Sequence, residues 1–266
     1  MSLLVRPTPP DSAGRILTVT PESAGWSHVG FEVFHLAPGQ TLDRDTGSRE
    51  FCLVPVSGSF RLDTGGDCFS GIGGRKSPFE AATDSVYLPA GARFTVTAES
   101  QLELALCSAP AKGTLPARRI ASGAQATEIR GQGTNTRHVR DILPATDAAE
   151  SLLVVEVITP AGHWSSYPPH KHDLDALPEE SALEETYYHR IDPPQGFAFQ
   201  RVYTDDRSID ETMAVEDRCC VLVPRGYHPV GAPHGYQLYY LNVMAGPQRI
   251  WKFRNDPAHD WMLRTP

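Results

Sequence analysis

The side chains best suited to chemistry lie in the second half of the chain: seven of the ten histidines (His163, His170, His172, His189, His228, His234 and His259) follow residue 160. His170 and His172 form a His-x-His pair. Residues two apart on a strand face the same side, so both imidazoles can point at one ion. Neutral imidazole is the commonest protein ligand for borderline metals. Pro168-Pro169 stiffens the approach, and Glu185 follows His172 after 12 intervening residues, at the head of an aromatic run. Its carboxylate would add a charged oxygen. His228 comes just after a Pro224-x-Gly226 turn and so arrives from a different strand. Three imidazoles and one carboxylate leave coordination positions open for substrate oxygens, as a catalytic divalent site requires. A His-x-His pair alone is more often a surface or hydrogen-bonded pair; the downstream Glu and His favour the metal. Glu184 adjoins Glu185 and faces the other way on a strand, so it competes for the ligand position.

The elements that must carry these groups read as strands. Short β-rich runs separated by turn residues occur at Gly30–His35, Phe51–Val56, Ser85–Leu88, Phe94–Ala98, Leu102–Cys107, Leu152–Ile158, Thr186–Arg190, Phe197–Val202, Cys219–Val223 and Gln237–Val243. With 22 Gly and 23 Pro spread along the chain and little helical periodicity, this predicts an all-β sandwich or barrel. The halves repeat weakly. A Gly39 turn leads to Glu50-Phe51-Cys52 and then Leu88-Pro89-Ala90-Gly91. Pro160-Ala161-Gly162 leads to Glu185-Thr186-Tyr187 and then Val223-Pro224-Arg225-Gly226. Two similar β-domains are the simplest reading, 1–125 and 126–266, divided where Pro, Gly and Ser thicken between Ala109 and Ile142.

Composition narrows the class. Hydrophobic residues make up 40%, enough for real cores, and the net charge is −8 without a Lys/Arg cluster, so a nucleic-acid partner is not expected. No apolar stretch is long enough to cross a bilayer, and the start has no secretory pattern, which points to the cytoplasm. Five cysteines without framework spacing read as reduced thiols in strands. Gly131-x-Gly133 lacks the following helix that a nucleotide site needs.

His170-x-His172, Glu185, Pro224-x-Gly226 and His228 resemble the two motifs of cupins. The usual cupin has three or four residues before the Glu and two before the last His. This chain departs at both places, with 12 and one. The departures fit a narrower group. Trp164-Ser165-Ser166-Tyr167-Pro168-Pro169-His170-Lys171-His172-Asp173 with Leu183-Glu184-Glu185-Thr186-Tyr187-Tyr188-His189-Arg190 is similar to the 5-deoxy-glucuronate isomerases of myo-inositol catabolism. So are Gly131–Arg137, Tyr227-His228-Pro229 and Asn242–Pro247. The resemblance spans almost the whole chain. The pectin-pathway uronate ketol-isomerase is a relative of the same architecture, and its metal Glu opens a Glu-x-Tyr strand, which favours Glu185.

The resemblance implies two tandem cupin-type jelly-roll barrels (a bicupin). It implies conversion of 5-deoxy-D-glucuronate to 5-dehydro-2-deoxy-D-gluconate, and a divalent metal, zinc by choice with manganese, iron or nickel as alternatives. The first barrel resembles one that lost its metal: Asp43 and Asp45 stand where His-x-His would be, Glu50 survives, and Phe94 replaces the last His. Moving a proton between adjacent carbons needs a base; His189, Glu184 and His234 are the candidates, in that order, with His163 and Tyr239 behind them. The substrate carboxylate needs a cation, for which Arg190, Arg137 and Arg201 are available, and alternation turns Tyr187 inward beside Glu185. Lys171 should point away from the ion. The expected partner is a small sugar acid, with self-association to cover strand edges. The competing readings are an iron-dependent dioxygenase on the same ligands and a non-catalytic sugar-binding bicupin.

Overall fold

Strands dominate because the chain supplies both kinds of strand pattern. Arg93–Ala98 and Asp210–Glu216 alternate between exposed and buried positions, as half-buried strands do. Arg49–Ser57 and Leu102–Pro110 are buried along nearly their whole length and lie inside their sheet. The computed structural model describes residues 2–123 and 127–264.

The chain forms two compact units, one from Pro7–Ala126 with Asp141–Val154, the other from Met1–Arg6, Thr127–Arg140 and Val155–Pro266. The boundary expected between residues 125 and 126 lies outside the described residues. The units differ from the expected 1–125 and 126–266 by two exchanged segments: the N-terminal residues go with the later unit and Asp141–Val154 with the earlier one. The reason for the first exchange is pairing, since Leu4 and Val5 add an edge strand against Val221 and Cys220.

In the earlier unit a six-stranded sheet runs Arg118–Ile120, Ser85–Leu88, Arg49–Ser57, Leu102–Pro110, Gly30–Leu36, Arg15–Val19. A four-stranded sheet runs Thr41–Asp45, Arg93–Ala98, Ser59–Asp63, Cys68–Gly73. Phe34, Phe51, Phe60, Leu62 and Val96 fill the core. In the later unit a seven-stranded sheet runs Leu4–Val5, Cys220–Val223, Glu184–Asp192, Gln237–Ala245, Leu153–Thr159, Arg137–Leu143, Glu128–Arg130. Its companion runs Trp164–Ser165, Val230–Gly231, Phe197–Tyr203, Asp210–Glu216, and a small ribbon pairs His170–Lys171 with Arg254–Asn255. Each unit is a jelly-roll barrel, and the all-β bicupin class expected from the sequence is the class observed. No described helix is long and apolar enough to cross a membrane. All five cysteines are free, four of them buried and Cys68 exposed.

The residues that replace metal ligands in the earlier unit have other work. Phe94 is buried in the core beside Phe51, ring centroids 6.2 Å apart. Asp43 accepts a hydrogen bond from Thr95 and Asp45 one from the Gly47 N–H, both on exposed strand positions. Glu50 is fully buried. Its carboxylate accepts from the Tyr87 hydroxyl (2.7 Å) and from the backbone N–H groups of Glu150, Ser151 and Leu152 (2.8, 2.6 and 2.6 Å). It thereby fastens the returning segment Asp141–Val154 to its unit. Glu50→Ala leaves three backbone donors and a hydroxyl without their acceptor. It is expected to destabilise the protein by roughly 3 kcal/mol, read as a lower denaturant midpoint in equilibrium unfolding.

Candidate metal centre

Glu185 is the second residue of the strand Glu184–Asp192, sits opposite Val223 and Met244, and is 2% exposed. His172 reaches it despite the long spacing because the excursion between them closes on itself. The Leu183 N–H donates to the His172 carbonyl at 3.0 Å. Buried Glu180 accepts from the Asp173 and Leu174 N–H groups. His228 follows a turn that only glycine fits: Gly226 has φ +100°, and a Cβ there would lie 2.6 Å from the Tyr203 carbonyl oxygen. The Gly226 N–H donates to Asp173 Oδ1 at 2.6 Å, tying the His228 turn to the residue after His172.

The ligand atoms of His172, Glu185 and His228 all lie within 4.8 Å of one another, and all three residues are buried. Their hydrogen bonds fix what each nitrogen presents. His172 Nδ1 lies 3.0 Å from the Leu183 carbonyl and His228 Nδ1 2.8 Å from the Gly226 carbonyl. A carbonyl only accepts, so both rings carry hydrogen on Nδ1 and, when neutral, a lone pair on Nε2. Those two Nε2 atoms face the same carboxylate oxygen, Glu185 Oε2, at 3.0 and 3.3 Å. His228 Nε2 is buried without a hydrogen-bond partner. Lone pairs converging out of reach of water repel unless a cation or an added proton lies among them. Burial opposes charge on His172, yet the hydrogen bond and attraction of Glu185 outweigh it and raise its pKa. Burial lowers the pKa of His228, with Glu185 acting against it. Two imidazoles and a carboxylate in this arrangement suit a divalent cation, and zinc, manganese, iron and nickel all accept such ligands.

His170 stands next to this group. Its ring is edge-on to His228, centroids 4.8 Å apart, and burial followed by the neighbouring His228 and His172 holds its pKa well below the usual range. It lines a cavity of about 280 Å³ together with Arg137, Ser166, Tyr187, Tyr240 and Asn242, and the apolar Val139, Val157, Trp251 and Phe253 and the charged Glu128 and Arg130 complete the lining. Strand register explains the set: Asn242 pairs with Tyr187 and Tyr240 with His189. Tyr187 and Ser166 share a hydrogen bond of 2.9 Å, and Tyr240 pairs with Ser165. Arg137 Nη1 donates to the carbonyls of Asn135 and Tyr167. The loop before it needs Gly131, φ +76°, where a Cβ would lie 2.2 Å from the Asn135 carbonyl oxygen.

Other sequence candidates fall elsewhere. Arg190 is on the opposite strand face from Glu185 and pairs with Asp217 at 2.9 Å, which corrects its expected contact with substrate. Arg201 pairs with Asp210. His234 is exposed in the turn before Gln237–Ala245, so the structure does not place it as a base at this centre. Glu184 is half-buried on the face away from Glu185. His189 shares Glu185's face and is fully buried, its ring stacked on Tyr187 and Nε2 unpartnered, but it does not line the cavity. Burial pushes its pKa down to about 4. His163 bonds to the Thr136 carbonyl and Tyr239 donates to Glu156. Lys171 points to Asp205, 2.6 Å away. Ser166, Tyr240 and Asn242 escaped the sequence reading; period-two alternation along Gln237–Ala245 would have found the last two only with the register known.

Comparison with known proteins adds an independent line. The sequence model of the KduI/IolB family matches residues 3–262. A 5-deoxy-glucuronate isomerase of Geobacillus kaustophilus (strain HTA426) is 56% identical over 267 residues, covering 100% of this chain and 97% of that protein. One of Bacillus subtilis (strain 168) is 54% identical over 247 residues, covering 92% and 91%. The crystal structure of an IolB-like protein from Salmonella typhimurium LT2 superposes with a TM-score of 0.96 at 50% identity, covering 99% of this chain and 100% of that one. An oxalate decarboxylase from Lactobacillus farciminis shares the fold, with a TM-score of 0.64 at 13% identity, covering 94% and 85%.

The lone-pair convergence yields a direct expectation. His172→Ala and His228→Ala should each lose most of the bound divalent metal by elemental analysis, with the strand-type circular dichroism of the parent retained. Full metal content in both variants would contradict the assignment.

Proposed function

Because this chain belongs to the KduI/IolB family, we propose that it is a 5-deoxy-glucuronate isomerase working at the centre formed by His172, Glu185 and His228. It converts 5-deoxy-D-glucuronate, an aldehyde, into 5-dehydro-2-deoxy-D-gluconate, a ketone. One proton leaves the carbon beside the aldehyde and one is delivered to the former aldehyde carbon, so the hydroxyl and carbonyl exchange places with no net redox change. The observation that carries the reading is the cavity itself: a carboxylate-seeking guanidinium and paired hydroxyls open beside a buried cluster of metal-type ligands.

The roles follow from the chemistry of each group. Arg137 stays charged although burial lowers its pKa, and its remaining N–H groups suit the substrate carboxylate. Tyr187 with Ser166, and Tyr240 with Ser165, offer hydroxyls to the sugar's own. A divalent cation held by His172, Glu185 and His228, with His170 as the fourth ligand of the sequence pattern, would supply Lewis acidity to the oxyanion of the enediolate; zinc is the proposed ion. Of the sequence candidates His189 keeps an unpartnered Nε2 lone pair and faces inward with Glu185, but it lies outside the cavity lining, stacked on Tyr187, so it would take up a proton only through an intervening group. Glu184 and His234 are set aside because of the face and the exposure described above.

The test is incubation with 5-deoxy-D-glucuronate in D₂O, with and without chelator, followed by product NMR. The reading expects the ketone product, deuterium at the carbon that was the aldehyde, and loss of turnover with chelator. Oxygen uptake during turnover would favour dioxygenase chemistry instead. Arg137→Ala should lower kcat/KM by about 100-fold while metal content stays at the parental level; an unchanged kcat/KM would remove Arg137 from the carboxylate site.

A further inference from the structure

Phe253 is 42% exposed, yet its ring lies against the buried imidazole of His170, centroids 4.5 Å apart with 36° between the planes. Phe253 lies outside the buried core of its unit, and its other ring neighbour is Trp251, centroids 6.3 Å apart. The segment around it is fastened to the chain that bears the histidines. Arg254–Asn255 pairs antiparallel with His170–Lys171, Asn255 opposite His170. The Asp256 N–H donates to the Pro169 carbonyl at 2.8 Å, and the Asp256 carboxylate accepts from the Tyr203 hydroxyl at 2.8 Å. The Ser181 N–H donates to the Lys252 carbonyl, and the Lys252 N–H to Ser181 Oγ. The same segment places Trp251 and Phe253 in the cavity wall.

The His170 ring has a hydrogen bond with the Pro168 backbone, and Phe253 lies against the ring itself. The ligand atoms of His172, Glu185 and His228 converge on one another, while the His170 ring stands at their side, nearly perpendicular to His228 and tilted against Phe253. We propose that Phe253 is a positioning residue: its ring holds the His170 imidazole in the orientation from which it completes the metal centre, which makes the C-terminal segment a working part of the active site. The proposal rests on the metal reading above.

The full chain, its Phe253→Ala variant and its Phe253→Tyr variant are titrated with zinc in competition with a chromogenic chelator, alongside melting temperature and steady-state kinetics. Outer contacts that orient a ligand are worth about 10–100-fold in metal affinity. Phe253→Ala is expected to weaken zinc binding by about 10-fold or more at an unchanged melting temperature, and Phe253→Tyr, which keeps the aromatic face, to restore it. Parental zinc affinity in Phe253→Ala would overturn the proposal, as would equal weakening by Ala and Tyr. A raised KM with unaltered zinc affinity would make Phe253 a cavity wall only and also overturn it. A parent chain that takes up no divalent ion would overturn the metal reading itself, a result seen before any substitution is compared.

Discussion

A buried carboxylate must be met by donors or by positive charge, because transfer from water without either costs several kcal/mol. The two barrels satisfy this constraint differently at corresponding positions. Glu50 and Glu185 are each the second residue of a nine-residue strand, and each is almost wholly buried. Around Glu50 stand one hydroxyl and three backbone N–H groups, all donors. Around Glu185 stand two imidazole nitrogens whose hydrogens are committed to carbonyls on the far side of each ring. The first carboxylate is complete as it is. The second needs a cation or a proton. That difference separates a carboxylate that organises its own unit from one suited to chemistry, on the same fold.

Much of the later unit serves to hold those lone pairs together. The Asp173 carboxylate binds the Gly226 N–H, which ties the two histidine-bearing loops together. Glu180 anchors the loop that an ordinary cupin lacks, which is how a spacing of 12 residues still brings His172 to Glu185. Cross-strand register then puts Tyr187, Tyr240 and Asn242 along one side of the cavity, and Gly131 admits the tight loop that delivers Arg137. Val139, Val157 and Trp251 also line the cavity, with Arg130 over the Trp251 ring.

The fold was legible in the sequence wherever hydrophobic runs were dense: each of the ten runs read as strands lies on an observed strand, with ends within a few residues. The strands that escaped are polar or short, such as Thr41–Asp45, Cys68–Gly73 and Asp210–Glu216, where one face is open to solvent and the apolar signal is halved. Arg137–Leu143 read as linker because charged residues interrupt it. Of the site, His172, Glu185 and His228 could be found from type and spacing, since chemistry restricts both. Alternation puts Glu184 and Glu185 on opposite faces, and the preference for Glu185 comes from the family resemblance. Arg190 was misplaced because its partner, Asp217, lies 27 positions away, and no local pattern shows a long-range ion pair. Phe253 was illegible for the same reason: its neighbour His170 is distant in the chain, and only the Arg254–Asn255 pairing brings them together.

A metal ion among His172, Glu185 and His228 is the premise that the proposed chemistry needs. Anomalous diffraction from crystals of the protein, collected above and below the zinc absorption edge, addresses that directly. A single strong peak is expected in the later unit, about 2.0–2.2 Å from both Nε2 atoms and from a Glu185 carboxylate oxygen. A crystal grown with metal in excess that shows no peak there, or a peak held by other residues, would contradict it.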